Sequence, residues 1–272
     1  MLASGGRLGP AGARNVGVDA AQGEIVFFVD ADVVVHADVF RRAALAFEED
    51  AQCVAVFGSY DDRPSASGFV SQYVNLRHHS VHQAAEEEAE TFWAGCGAVR
   101  RSAFLEAGGY DGERYAEPSI EDIELGQRLR ARGGRILVDK AMQATHLKHW
   151  SLRTMLATDI FKRALPWARL LRLSPTTRVL NVGRHEQLKA ACAVLLSTSL
   201  VVGVFLHEAL YVAVAALLVC FWMNRRLCLL LMRQQGLLHM VVGFLLHLLY
   251  FHYCTVVYLY SRLEPRHSAR GA

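Results

Sequence analysis

The chain has 272 residues, of which 53% are hydrophobic, and its formal net charge is +3. A charge this small gives no strong basic field, which argues against a nucleic-acid-binding protein. The hydrophobic fraction exceeds that of an ordinary soluble domain. The six cysteines show no CxxC spacing, so we predict neither a disulfide framework nor a zinc site.

Strands and helices alternate along the first half of the chain. The residue patterns predict, in order, a helix at 12–22, a strand at 24–29, a helix at 37–49, a strand at 53–60, a loop at 61–68, a helix at 69–90, a short helix ending at Gly108–Gly109, a helix at 119–134 and a strand at 135–139. Such alternation predicts an α/β layer, which we assign to residues 1–149.

Basic and then apolar residues dominate the rest of the chain. We assign amphipathic membrane-surface helices to 150–188, a transmembrane region to 189–261 and a tail to 262–272. The transmembrane region is expected to hold about three helices, with two short spans in 190–223 and a third from Leu237 to about Tyr260. These spans predict a multi-pass protein, and the basic residues before the first span place its α/β domain in the cytoplasm. A single tilted span over 190–223 is the alternative.

Two carboxylates close the first predicted strand, because the apolar run ending at Val29 leads directly into Asp30-Ala31-Asp32. Residues i and i+2 share a face of a strand, so both side chains are expected to point the same way. Ligands of open α/β sheets bind at the carboxyl ends of the strands, and two converging carboxylates suit a hard divalent cation, Mg²⁺ or Mn²⁺. A polar turn after the strand is the alternative.

A second acidic pair, Glu121–Asp122, lies at the start of a predicted helix. Asp122 has the chemistry of a general base that takes a proton from an acceptor hydroxyl, whereas electrostatic stabilisation of the helix N-terminus is the alternative. Between the two acidic pairs, Gly95-Cys96-Gly97 indicates either a close approach of the backbone to a ligand or a tight turn.

Histidines form two further groups. His78 and His82 share a helix face at i and i+4, which would suit a zinc pair, but we favour the solvated polar face of a helix. His146 and His149 follow the last predicted strand. Either one is a candidate metal ligand or phosphate donor, although we favour a structural role.

Three segments stand in a fixed order: GPAGARNVGVDAAQGEIVFFVDADV, FWAGCGAVRRSAFLEAGGYD and SIEDIELGQRLRARGGRI. With the basic segment and apolar helices that follow, they resemble an inverting family 2 glycosyltransferase of GT-A fold with a C-terminal membrane region. The resemblance covers roughly residues 8–165, and the order of three motifs makes it more specific than any one of them.

The resemblance implies a nucleotide-diphosphate sugar as donor and Mg²⁺ or Mn²⁺ as cofactor. It places Asp30 at the ribose or the metal, Asp32 on the metal at the diphosphate, and Asp122 as the base that deprotonates the acceptor for in-line displacement with inversion. His146 is taken as a further metal ligand. The donor-binding side would be formed by Arg14, Asn15, Asp30, Gly95, Cys96, Gly97 and Glu121.

Two departures from the family pattern shape the expectation. The family normally begins with a strand, a turn and a second strand that grip the base, whereas here only the tail of that half, Gly5 to Asn15, is found. We therefore expect an N-terminally truncated GT-A domain. The stretch QATHLKHW at 143–150 does not match the QxxRW motif of processive synthases, which favours transfer of single sugars.

The hypothesis from the sequence is a membrane-bound, hexosyltransferase-like enzyme. It would move one sugar from a nucleotide donor to a lipid or lipid-linked acceptor at the cytoplasmic membrane face. The alternative is a truncated, catalytically inactive membrane scaffold or subunit that keeps the second half of the fold. A transporter is disfavoured, because Glu208 is the one acidic or basic residue within the expected spans.

Overall fold

The computed structural model describes residues 8–173 and 183–265. Its strands within these residues are β1 (Ile25–Val29), β2 (Val33–Val35), β3 (Cys53–Tyr60), β4 (Glu88–Ala89), β5 (Cys96–Arg100) and β6 (Arg135–His146). Its helices are α1 (Gly9–Ala20), α2 (Val39–Glu49), α3 (Phe69–Ala84), α4 (Arg101–Glu106), α5 (Glu121–Ala131), α6 (Leu152–Ala157), a π-helical segment (Thr158–Ala164), α7 (Leu165–Leu173), α8 (Arg184–Val202), α9 (Ala209–Met223), α10 (Arg225–Gln235) and α11 (Leu237–Leu263). The predictions for 1–7, 174–182 and 266–272 lie outside the described residues.

The strands form one mixed sheet in the order β1-β5-β3-β6-β2, with β4 added on β6. Strands β3 and β6 are parallel, and the other pairs are antiparallel. Strand β6 is long enough to pair with β4 through its first residues and with β2 through its last, where Val33 lies opposite His146. This pairing brings the chain after Asp32 to the end of β6.

A hydrophobic core lies on each face of the sheet, because successive residues of β3 point to opposite sides. On one face Ala55 and Phe57 pack with residues of α1, α4 and α5. On the other face Val56 packs with α2, whose Val39, Ala43 and Phe47 recur at i, i+4 and i+8 and form one apolar stripe. The predicted α/β layer is therefore present, with helices on both faces.

Helix α3 connects the sheet domain to the C-terminal helices. Its Tyr73, Val74 and Leu76 share a core with Trp150 and with residues of α6 and α10. Arg77 donates a 2.7 Å hydrogen bond to Asp159 in the π-helical segment, and the hydroxyl of Tyr253 on α11 donates to the same carboxylate at 2.6 Å. Arg77 and Asp159 are 6% and 3% exposed, so this charge pair is fully enclosed.

The structure corrects the predicted number of membrane spans. Among residues 8–173 and 183–265, only α11 is both long and apolar enough to span, with 27 residues and a mean hydropathy of 1.8. Helices α9 and α10 qualify only if they form one span bent by 70°. The apolar run breaks between α8 and α9, around the predicted turn at His207–Glu208. The 15 residues of α9 cover only about 22 Å of a roughly 30 Å hydrocarbon core, so three spans are not supported.

Candidate active site

Four acidic residues and two basic ones lie where β1, β6, α1 and α5 approach one another. We call them the acidic site: Asp30, Asp32, Glu121, Asp122, Arg14 and His146. The backbone N–H of Asp30 donates to the carbonyl of Gly95, and that of Ala94 donates to Asp122 Oδ2, both at 3.3 Å. The loop before β5 therefore holds the two acidic pairs beside each other.

Arg14 of α1 bridges the two acidic pairs. One guanidinium nitrogen lies 2.6 Å from Asp30 Oδ1 and another lies 2.9 Å from Glu121 Oε1. The Arg14 and Glu121 side chains are 19% and 7% exposed, so the ion pair between them is largely shielded from water. A planar guanidinium holds two carboxylates in fixed directions in a way that a lysine does not. The second oxygen of Glu121 accepts from the N–H of Ser119 at 2.8 Å.

Asp122 lies in the first turn of α5 and is half-buried. Burial, followed by repulsion from Glu121, raises its pKa from 3.8 to about 7, although Arg14 and two backbone N–H groups favour the charged form. A carboxylate with this pKa exchanges a proton near neutral pH, as a general base must. The residue types and the local geometry therefore suit proton transfer at Asp122.

Asp32 contacts His146 and not Arg14. The chain turns after Asp30, with the N–H of Val33 donating to the carbonyl of Asp30 at 3.1 Å. The Asp32 side chain is 44% exposed and its Oδ2 lies 3.6 Å from His146 Nε2, whereas the His146 side chain is 5% exposed. Burial lowers the pKa of His146 in spite of the nearby carboxylate, which favours the neutral imidazole that a metal requires. Asp30 and Asp32 thus contact different partners.

Four predicted donor-side residues are occupied by contacts within the fold. The amide of Asn15 donates to the carbonyl of Tyr110 and accepts from its N–H, both at 2.8 Å. Cys96 is fully buried in the core that contains Val33 and Val56, and burial raises the pKa of its thiol to about 12. A Cβ on Gly95 or Gly97 would lie 2.4 Å from an atom of Trp93. The close backbone approach at these glycines is therefore to Trp93.

The other histidines do not gather around a metal. His78 lies 2.9 Å from Arg163, and His82 packs edge-on to Phe57. His149 is exposed beyond the end of β6. No group of three or more His, Cys, Asp or Glu side chains that could hold a metal occurs among the residues the structure describes.

Two residues at the site were not assigned a role from the sequence. Tyr60, the last residue of β3, stacks on the ring of His146 with ring centroids 4.4 Å apart. Asn75 of α3 lies 2.6 Å from His146 Nδ1 through its amide oxygen. The position of Tyr60 at the end of a strand was a usable signal, because side chains there face the ligand edge of an α/β sheet. No local pattern marks Asn75, which is 71 residues from His146.

A family model described as "Glycosyltransferase like family 2" matches residues 4–166. The chain belongs to this family. The match confirms the resemblance found in the three sequence motifs and agrees with the α/β, GT-A-like fold. No curated protein matches the chain.

Two of the solved structures with some similarity to this family 2 chain are glycosyltransferases. One is a crystal structure of GalNAc-T7 with UDP, GalNAc and Mn²⁺, at 17% identity and a TM-score of 0.40 over 53% of this chain. The other is the mannosyltransferase PcManGT from Pyrobaculum calidifontis in complex with GDP-Man and Mn²⁺, at 17% identity and a TM-score of 0.46 over 92% of this chain. The chain spans 31% and 66% of the lengths of those two chains. The family assignment rests on the family model.

The acidic site of this family 2 domain fits a divalent cation that is shared with a substrate. Asp32 and His146 offer one carboxylate, which is 44% exposed, and one imidazole, which is 5% exposed. Mg²⁺ in phosphate-transferring sites is commonly held by one or two carboxylates and completed by substrate phosphates and water. Two protein ligands therefore suit an ion that binds with a diphosphate, and do not suit a closed structural site.

Proposed function

We propose that this chain transfers a single sugar from a nucleotide-diphosphate sugar to a lipid or lipid-linked acceptor, with inversion at the anomeric carbon. The observation that carries the proposal is Asp122, a half-buried carboxylate whose pKa is raised to about 7 beside Arg14, Glu121 and Asp30. Membership of family 2 supports sugar transfer as the reaction class.

Each residue of the acidic site has a role in this reaction. Asp122 accepts the proton of the acceptor hydroxyl, whose oxygen forms the new bond to the anomeric carbon as the bond to the diphosphate oxygen breaks. The electron pair of the broken bond leaves with the nucleoside diphosphate. Arg14 fixes Glu121 and Asp30 on the donor side. Asp32 and His146 would hold a divalent ion, Mg²⁺ or Mn²⁺, which would neutralise charge on the leaving diphosphate.

The C-terminal helices support a lipid acceptor and a membrane location for the protein. Helix α11 has the length and hydropathy of a span. The loop and helix ends around α8 and α9 expose large apolar side chains, including Val204, Phe205 and Tyr211 at 72%, 86% and 79%. Apolar surface of this extent on a folded chain marks a membrane or protein contact. We propose that the GT-A-like domain of residues 1–149 faces the cytoplasm and that 150–188 lie at the membrane surface.

The experiment uses the full chain in lipid nanodiscs with a membrane lipid extract, labelled nucleotide sugars and Mn²⁺ or Mg²⁺. We expect labelled lipid, inverted stereochemistry by NMR, and loss of product on chelation that added metal reverses. Asp122→Asn should lower the rate by about 10²- to 10⁴-fold, and Asp32→Ala should raise the metal concentration needed. The control Asp38→Asn removes a carboxylate that pairs with Arg42 on α2, outside the acidic site.

Full activity in both Asp122→Asn and Asp32→Ala would show that the residue assignments are wrong. A wild-type chain that transfers no sugar from any donor in the panel would favour the inactive scaffold over the enzyme.

A further inference from the structure

Two aromatic side chains pack against the buried ring of His146. It is 5% exposed at the end of β6, with the ring of Tyr60 stacked on it at 4.4 Å and 8°. The indole of Trp150 lies 6.5 Å away at an angle of 57°. Rotation of the imidazole would have to displace these aromatic neighbours, so its two nitrogens face fixed directions.

The two nitrogens face different residues. Nδ1 lies 2.6 Å from the amide oxygen of Asn75, and Nε2 faces Asp32 Oδ2 at 3.6 Å. Because an amide oxygen only accepts, this contact is a hydrogen bond when Nδ1 carries the ring hydrogen and donates it to Asn75. The Nε2 atom is then left with its lone pair, on the side of the ring that faces Asp32. The 3.6 Å separation from Asp32 is too long for a hydrogen bond.

The buried amide of Asn75 is an unfavourable choice if the residue serves packing alone. It is 1% exposed on α3, and its amide nitrogen has no hydrogen-bond partner within the described residues. A buried donor left unpaired costs free energy that an apolar residue of the same size would avoid. Within the part of the chain that the structure describes, its side chain forms one hydrogen bond, to His146. The contact with the imidazole of His146 is therefore what accounts for an amide at this buried position.

Helix α3 is fixed to the chain just beyond His146. The hydroxyl of Ser71 accepts from the N–H of Trp150 at 2.8 Å and lies 3.3 Å from its carbonyl oxygen. Ser71 and Asn75 are one helical turn apart and so lie on one face of α3. The hydrogen bonds between Ser71 and Trp150 therefore hold α3 close to the end of β6, and this places Asn75 within reach of His146.

We propose that Asn75 is a positioning residue that fixes the tautomer of His146, so that the Nε2 lone pair is available with Asp32 to a divalent cation. This inference rests on the proposed function, because it concerns the cation that the proposed reaction uses. Hydrogen bonds to the remote nitrogen of a ligating histidine set its orientation and basicity, and their loss costs about 10- to 100-fold in metal affinity.

The test measures Mn²⁺ binding by the EPR signal of free Mn²⁺, using the full chain with Mn²⁺ alone and with UDP or GDP added. Asn75→Leu should weaken binding by about 10- to 100-fold. The matched control is Gln72→Leu, which removes another buried amide of α3. Gln72 is 3% exposed, and its amide oxygen has no hydrogen-bond partner within the described residues. Its amide nitrogen donates to the carbonyl of Ala66 and does not contact His146. We expect the control to bind Mn²⁺ like the wild type.

Asn75→Asp separates positioning from packing. A buried carboxylate disturbs the core more than leucine does, yet it restores the acceptor for Nδ1–H, so its Mn²⁺ affinity should exceed that of Asn75→Leu even if it melts at a lower temperature. His146→Ala should abolish tight binding.

If His146→Ala loses Mn²⁺ and Asn75→Leu does not, the positioning role is wrong and the proposed metal site stands. Equal losses in Asn75→Leu and Gln72→Leu would also overturn it, because the effect would then be structural. A wild-type chain that binds no Mn²⁺ under any of these conditions overturns both the positioning role and the proposed metal site, whereas sugar transfer is tested separately by the labelled-donor assay.

Discussion

The pH dependence of sugar transfer tests Asp122 as the base. Burial and the neighbouring Glu121 raise its pKa from 3.8 to about 7. A base with this pKa is ionised in about one molecule in eleven at pH 6 and in about ten in eleven at pH 8, so kcat/KM for the donor should rise about tenfold between these values. Activity is lost as the pH falls through about 7, because the proton then occupies the base.

The perturbation is Glu121→Gln, which removes the charge next to Asp122 and keeps an amide oxygen that accepts from Arg14. After burial, Glu121 is the largest cause of the raised pKa, and each pKa unit that its charge contributes corresponds to about 1.4 kcal/mol of repulsion. The rise of kcat/KM with pH should therefore move from about pH 7 to lower pH, and a shift of about one unit would measure a repulsion of about 1.4 kcal/mol.

The assay is the initial rate of label transfer at subsaturating donor and fixed Mn²⁺ between pH 5 and 9. Glu124→Gln is the control, because Glu124 lies in the same turn of α5 but pairs with Arg128 at 2.7 Å. The reasoning is refuted if the rise of kcat/KM with pH does not move in Glu121→Gln, or if it moves equally far in Glu124→Gln. If Asp122→Asn still shows this rise, the titrating group is a residue other than Asp122.

Two further predictions concern stability. Asp159→Asn leaves the charge of Arg77 enclosed and uncompensated, so we expect a loss of about 3 to 5 kcal/mol in the free energy of unfolding. The double variant Arg77→Met, Asp159→Leu should regain most of the lost melting temperature. If the losses of the two single substitutions simply add in the double variant, the argument is wrong. Gly126→Ala on α5 puts a Cβ 2.3 Å from the backbone nitrogen of Phe92 and should cost about 1 to 3 kcal/mol. The helical control Gly17→Ala meets nothing within 4 Å and should stabilise by about 0.5 to 1 kcal/mol, and equal thermal shifts in the two alanine variants would refute the packing argument.

The elements that follow from local pattern were predictable from the sequence. The stripe of α2, the strand at 53–60 and the acidic start of α5 agree closely with the structure. Strands β2 and β5 were not predicted. The three residues of β2 are a strand only because they pair with the far end of β6. Strand β5, which contains Gly97, lies between β1 and β3, where tertiary pairing overrides propensity.

Other elements end at points that only the tertiary structure sets. The helix predicted to reach residue 90 ends at Ala84, because the chain beyond it forms β4 against β6. The strand predicted at 135–139 continues to His146, since its second half acquires β2 as a partner.

The acidic residues of the site could be picked out from the sequence, but their partners could not. The expectation that Asp30 and Asp32 share a direction assumed an extended chain, whereas the chain turns between them. Arg14 reaches Glu121 across 107 positions, and no local pattern encodes such a contact. The roles of these residues in catalysis stay predictions for the experiments above.

The enclosed charge pair between α3 and the C-terminal helices has a consequence for the order of folding. Arg77 contacts Asp159 across 82 positions, and the hydroxyl of Tyr253 lies a further 94 positions along the chain. At roughly 5 to 20 residues synthesised per second, Tyr253 emerges about 5 to 19 seconds after Asp159. During that interval the sheet domain presents an incompletely satisfied ion pair on the surface that α11 later covers. Until α11 has been synthesised, the carboxylate of Asp159 therefore lacks the hydrogen bond from Tyr253, and the face of α3 that carries Arg77 lacks its cover.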